Sequence, residues 1–234
     1  GSIQFFNMGA DGTNVRKLPL GGDGKAPRGV AWSPRGNQLL VGLNETELTD
    51  WDNLREALFI WSADGSTRTQ ITEWGDFVTS SWHPNLPIII TSGNSSRDLW
   101  EVNLNTGERL RMAETPDVWE YNPRFSPDGK KVCFSKGPVS KGSGFPEGRD
   151  DDFDIVVADY TPGSSGVAGT ISNQQKISKS GAVDLNASWS PDGSQLVFSS
   201  DRSGADQLYI VNANGTNLRQ ITTGGGSRPH WGKY

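Results

Sequence analysis

The chain reads as an all-β protein built as a β-propeller, and three observations predict it. A tight-turn signature, Ser-Pro-Asp-Gly, stands at Ser126 to Gly129 and again at Ser190 to Gly193. An aromatic residue at the end of a short β-prone stretch precedes that turn or a degenerate form of it at Trp32, Trp82, Phe125 and Trp189, and a fifth, Trp231, ends the series. These aromatics are spaced 50, 43, 64 and 42 residues apart. A meander repeating at about 40 to 45 residues marks a propeller blade, because a single four-stranded sheet cannot cover both of its faces and needs a neighbour on each.

The clearest copy runs from Asn186 to Thr222. The stretch ASW is apolar and β-prone, PDG turns the chain with Pro191 presetting φ, and QLVFSS forms the second strand. After the polar loop SDRSGAD, LYIV is the third strand, NANG turns again, and LRQIT closes the unit. Third strands align as well, with Phe6, Phe59, Trp100 and Tyr209 at one position and Val156 in their place in the remaining copy.

In chain order, Ile3 to Leu20 matches the third and fourth strands of this unit, so the sequence starts within a blade. The first full blade spans Val30 to Thr72 and carries a polar insertion, Asn44 to Glu56, between its second and third strands. The second, Val78 to Met112, is compact. The third, Asn122 to Ile177, has two insertions, KGPVSKGSGFPEGRDDD before its third strand DIVVADY and the Gly- and Ser-rich TPGSSGVAGTISNQ after it, the latter read as a mobile surface loop. The last piece, Ser227 to Tyr234, supplies a first strand only. Joined to the N-terminal strands it gives a fifth, composite blade, so residues 1–234 read as one five-bladed propeller domain and a monomer; the alternative is a piece of a larger ring with raw sheet edges.

The pattern W-S-P-D-G, an apolar strand, S-D-R-x-G, an aromatic strand and N-A-N-G-T-N-L-R-Q-I-T resembles the TolB-type propeller repeat, over nearly the whole chain. That resemblance implies the propeller fold. It leaves function open among periplasmic partner-binding proteins, the gating propellers of some serine peptidases and some carbohydrate-active proteins. It also implies a periplasmic or extracellular setting. The leading Gly1 and Ser2 read as an expression remnant, which leaves an export signal open.

Composition narrows the classes further. A net charge of −5 without a basic stripe argues against nucleic acid as partner. No stretch is apolar enough to span a membrane, and the one doubtful helical period is Asp52 to Leu58. Cys133 is alone in the apolar VCF strand, which predicts a buried, inert thiol.

Strand parity sorts the connections onto two ends of the blades. First-to-second and third-to-fourth turns share one end. Second-to-third loops and the links between blades share the other, and the long insertions fall there, which makes this loop face the candidate site. Of the nine Trp, Trp51, Trp74 and Trp119 lie outside the repeat positions and in connections on this face. With Asp76, Arg97 and Glu120 they are the expected ligand-binding set, an aromatic platform able to anchor a peptide or stack on a sugar ring; the competing reading makes each Trp a cap on an inter-blade groove.

The run Asp150, Asp151, Asp152 and Asp154 lacks the spaced pattern of a calcium loop and reads as solvated, so no metal is expected. Arg97 with Asp98, and Asp201 with Arg202, read as pairs that brace loops. No nucleophile elbow is present, and His83 and His230 have structural explanations, so no catalytic residues and no cofactor are expected; Asp76 with Glu120 as a glycosidase pair is the remote exception. The favoured function is a non-enzymatic module that binds a protein or peptide, with a carbohydrate-binding propeller and then a glycan-cleaving enzyme as alternatives.

Overall fold

The computed structural model describes residues 4–9, 11–20, 27–44, 55–75, 79–93, 96–112, 114–138 and 152–232. The fold is all-β: no helix occurs among these residues, and four antiparallel four-stranded sheets form propeller blades. The chain divides into two compact units, Gly1–Val78 and Thr79–Tyr234.

The first unit holds a hairpin, β1 (Phe5–Asn7) and β2 (Arg16–Leu18), and one blade of β3 (Pro27–Trp32), β4 (Gln38–Asn44), β5 (Glu56–Ser62) and β6 (Arg68–Gln70) in sequential order. The second holds three blades. They are β7 (Thr79–Trp82) to β10 (Arg109–Arg111) with β8 (Ile88–Ser92) and β9 (Leu99–Asn103) between; β11 (Val118–Phe125), β12 (Lys131–Pro138), β13 (Asp154–Thr161) and β14 (Thr170–Lys176); and β15 (Asp184–Trp189), β16 (Gln195–Ser200), β17 (Gln207–Asn212) and β18 (Arg219–Gln220).

Strand alternation explains how the three blades adhere. In the middle blade of the second unit, Val132, Phe134, Val156, Ala158 and Tyr160 point one way, into a cluster with Ile88, Ile90 and Leu99 of the preceding blade. Their sequence neighbours Cys133, Ile155 and Val157 point the other way, into a cluster with Trp189, Leu196, Phe198 and Tyr209 of the following blade. The period of two thus sends alternate residues to opposite neighbours. Second strands are buried on both faces as a result. Cys133 lies at this seam with no exposure, and burial pushes its thiol up to about 12, so the expected burial of the thiol is found. In the first unit, Leu18 of the hairpin joins Leu39, Val41, Leu43, Phe59 and Trp61 in a third cluster.

The hairpin keeps the register of a blade's outer half. Phe6 pairs with Lys17 as Phe59 pairs with Gln70, Trp100 with Arg111 and Tyr209 with Gln220. The described blades number four; Arg228 to Gly232 form no strand, and the Trp231 amide donates to Ser188 Oγ at 3.3 Å. The expected composite fifth blade is therefore not found among the described residues: its N-terminal part is a two-stranded hairpin and its C-terminal part forms no strand.

Serine and glycine build the first-to-second turns. In three blades the serine amide donates to the carbonyl five residues on, and its hydroxyl accepts the amide there: Ser33 with Gln38, Ser126 with Lys131 and Ser190 with Gln195. Gly129 and Gly193 take φ of 74° and 72°, which a side chain disfavours. The residues just after three of the fourth strands act as clamps. The amides of Ile71, Ile177 and Ile221 donate to the carbonyls of Leu58, Ile155 and Leu208, and the hydroxyls of Thr72, Ser178 and Thr222 accept the same residues' amides at 2.8 to 3.0 Å.

Several expectations change. The first strand of the middle blade begins at Val118, not at the PRF motif, because Asn122 takes a left-handed φ of 55° and bulges the strand; Asn186 repeats this with φ of 59°, and the two side chains bond at 2.8 Å. Such a bulge shifts the alternation and hides the upstream half from a period-two reading. The expected loop TPGSSGVAGTISNQ contains the start of β14, and a turn joins Ser164 to Val167 within it; Gly163 donates to Glu101 of the preceding blade. Glu56 to Leu58, at the end of the doubtful helical period, are strand. Trp32, although it stands at a repeat position, is 45% exposed. Asp154 is buried and ion-paired with Lys176 rather than solvated, while Asp152 is exposed and Asp150 and Asp151 lie outside the described residues.

His83 replaces the motif serine and takes its role. Its Nδ1 accepts the amides of Asn85 and Leu86 at 3.1 and 3.0 Å, which leaves the proton on Nε2 to bond the Gly129 carbonyl of the next blade at 3.2 Å. Burial holds this imidazole below its ordinary pKa of about 6.5, although the Gly129 carbonyl and the charges of Glu101 and Asp128 oppose the shift. The unfolded chain therefore binds the proton first, and the stability this site contributes is full above about pH 6.5 and lost as pH falls below it. The melting temperature should drop between pH 7 and pH 5, and His83→Ser, which restores the motif residue, should flatten that slope. An unchanged slope in the variant would remove His83 as its source.

Candidate functional site

The loop face of the three-blade unit is built on buried acids. Asp98, Glu120, Asp154 and Asp184 stand where strands meet their loops, and none is more than 3% exposed. Each is answered by a partner. Asp98 takes the Arg111 guanidinium on Oδ2 and the Thr115 amide and hydroxyl on Oδ1 at 3.0 and 3.2 Å. Glu120 Oε1 takes Lys136 Nζ at 3.0 Å, and Asp154 Oδ2 takes Lys176 Nζ at 2.8 Å. Asp184 is gripped by Arg202 Nη2 at 3.0 and 2.8 Å on its two oxygens and by Ser180 Oγ at 3.0 Å.

These pairs cross strands that the register brings together. Glu120 lies opposite Lys136, and Lys136 opposite Asp154, in one row across the middle blade. A buried carboxylate costs several kcal/mol to desolvate and persists only when paired, so the row holds the strand ends in one arrangement. Arg202 adds a second constraint, its guanidinium lying 4.8 Å from the Tyr209 ring centroid.

Arg97 of this face is constrained in backbone and side chain. Its backbone takes a left-handed φ of 58°, held by the Glu120 amide donating to its carbonyl at 2.8 Å. Its guanidinium sits 5.3 Å from the centroid of the Trp119 ring. Trp119 itself is 2% exposed and packs edge-on against Tyr121, with ring centroids 6.0 Å apart. This indole fills the strand end upstream of the bulge, so it supports Arg97 from beneath rather than offering a stacking surface. The structure thus brings Arg97, Trp119 and Glu120 together. Trp74 belongs to the first unit, half-buried 5.9 Å from Phe59, and its carbonyl accepts from Arg55 at 3.3 Å. Trp51 and Asp76 lie outside the described residues.

The loop braces have other partners than their sequence neighbours. Asp98 binds Arg111 rather than Arg97; Arg202 binds Asp184, and Asp201 takes the Val183 amide at 2.9 Å. Arg111, Lys136 and Lys176 were missed, and the signal for them was a charged residue in or beside a strand facing a buried acid. Among the described residues no group of three or more His, Cys, Asp or Glu is placed to hold a metal ion.

Comparison with known proteins then bears on the repeats. The family model of the TolB beta propeller domain matches residues 166–233. This stretch is thus similar to the TolB propeller repeat. The Tol-Pal system protein TolB of Bordetella pertussis is 40% identical over 48 residues, a match covering 20% of this chain and 11% of that protein. An uncharacterized peptidase of Bacillus subtilis, YuxL, is 28% identical over 113 residues, covering 47% of this chain and 15% of the relative. The chain thus spans a small part of the length of either relative. The crystal structure of TolB from Acinetobacter baumannii superposes with a TM-score of 0.66 at 18% identity, over 94% of this chain and 48% of that one, which establishes the shared propeller fold.

The struts differ from exposed pairs in energetic weight. Asp184→Ala strands the Arg202 guanidinium, which is only 16% exposed, and should cost about 3–5 kcal/mol in urea unfolding. Lys131→Ala removes the pair with Asp159, whose partners are 47% and 40% exposed, and should cost about 0–1 kcal/mol. Equal losses would contradict the assignment of the loop-face acids as struts.

Proposed function

We propose that this chain is a partner-binding module of the TolB-like propeller class, which presents its loop face to a protein or peptide. The observation that carries this reading is the tying of the loop-face acids into ion pairs. Carboxylates in that state stiffen a scaffold and leave the loops above them to make contacts. Arg97, fixed in backbone and seated on Trp119, is the anchor, because a preorganised arginine loses little freedom on binding and arginine is enriched among residues that dominate interfaces.

The match to a protein named for the Tol-Pal system supports a partner-binding role over a carbohydrate one, as does the burial of Trp119, which removes a sugar-stacking surface from this part of the face. A periplasmic or extracellular setting belongs to the same reading. Trp51, Trp74 and Asp76 are proposed separately, as contacts of the first unit.

A photo-crosslinking residue introduced at position 114, whose side chain is 74% exposed on the loop face, tests the proposal, with position 105 in a third-to-fourth turn at the other end of the same blade as control. In extract from the native compartment, position 114 should yield a discrete protein adduct that Arg97→Ala abolishes, and position 105 none. Binding to a glycan array without any protein adduct from position 114 would transfer the function to the carbohydrate reading.

A further inference from the structure

A cavity of about 320 Å³ opens at the turn end of the second unit, between the Ser-Pro-Asp-Gly turns of its middle and last blades, lined by Ser126, Pro127, Asp128, Lys131, Trp189, Asp192 and Gly193. We propose that it is a receptor pocket for a planar cationic side chain, an arginine presented by a protein partner. It lies at the end of the strands remote from the loop face and does not depend on the function assigned there.

The preceding seam shows what such a cavity accepts. There the serine position of the turn holds His83, whose planar ring lies against Gly129 of the next blade and donates from Nε2 to its carbonyl at 3.2 Å. The fit is close: a Cβ built on Gly129 would meet the imidazole at 2.5 Å and Pro84 at 3.1 Å. In the following seam Ser126 stands at the position of His83, Pro127 at that of Pro84 and Gly193 at that of Gly129. A Cβ on Gly193 would meet only Pro127, at 3.5 Å. Where one seam is filled by a planar nitrogen ring of the chain itself, the other is open. Its volume falls at the lower end of the range of ligand clefts, about 300–1,000 Å³.

Charge selects a cation. Asp192 accepts from Ser190 Oγ at 2.6 Å, from the Ser194 amide at 3.0 Å and from Ser194 Oγ at 2.8 Å, and these bonds hold its carboxyl at about 2. Asp128 is lowered in the same way, by Ser126 Oγ at 2.6 Å and the Lys130 amide at 3.0 Å. Both acids are ionised at any physiological pH. The one lining cation, Lys131, is engaged with Asp159. Trp189 is fixed by its indole N–H donating to the Arg124 carbonyl at 3.1 Å, and with Pro127 it supplies an apolar wall. A guanidinium matches this set better than an ammonium, because it is flat, permanently charged, stacks on apolar and aromatic walls and donates to two acceptors at once.

The probe is Nα-acetyl-arginine N-methylamide, with the citrulline analogue as the uncharged isostere, followed by the indole N–H resonance of Trp189 in the intact chain. Arginine should give a saturable shift and citrulline none. Asp192→Asn, whose amide oxygen can accept the same turn bonds, should weaken binding at least tenfold. Ser126→His should fill the pocket from within and abolish the shift. If Ser126→His does not fold, Asp192→Asn and Asp128→Asn carry the test alone. Equal shifts from arginine and citrulline, or unchanged affinity in Asp192→Asn, would overturn the proposal.

Discussion

Each blade of this chain has two apolar faces and no means of covering either alone. The alternation that sends Val132, Phe134 and Val156 into one neighbour sends Cys133, Ile155 and Val157 into the other. Burial of a large apolar side chain is worth about 1.5–3 kcal/mol, so Phe125, Val132, Phe134 and Val156 together gain on the order of 6–12 kcal/mol from a single seam. That is comparable to the whole margin of a domain, about 5–15 kcal/mol. Inter-blade packing is therefore the condition under which the strands of the second unit exist, and the polar architecture is arranged so as not to disturb it.

That polar architecture differs at the two ends of the strands. At the turn end, short side chains bond their own backbone: Ser126 with Asp128 and Lys131, Ser190 with Asp192 and Gln195. These are local devices, legible wherever Ser-Pro-Asp-Gly occurs. At the loop end, charges reach across strands, as in Asp98 with Arg111 and Asp184 with Arg202. One end folds by sequence-local chemistry, and the other is fixed by pairs that exist only once the sheet has formed.

This division decides what could be read from the sequence. Turn residues and strand alternation placed the four complete blades, though not a fifth, and the burial of Cys133, since both signals lie within a few residues. Asn122 broke the second signal: its left-handed bulge put Trp119 inside a strand that the pattern reads as a connection, and so the platform indole lies buried beneath Arg97. The partners of Asp98 and Glu120 were equally hidden, because Arg111 and Lys136 become neighbours through register and through nothing in local sequence. The place of Arg97 at the loop end of its blade was legible. The supporting ion pairs were not.

Native-state hydrogen exchange tests most directly whether the three blades of the second unit stand or fall together. Under increasing denaturant, the amides of β8, β12, β13, β16 and β17 should converge on a single opening free energy, because unzipping either seam strips an apolar face from the blade between. Exchange of β16 and β17 at a separate, lower free energy while β12 and β13 stay protected would contradict the account, showing that a blade with one face exposed persists on its own.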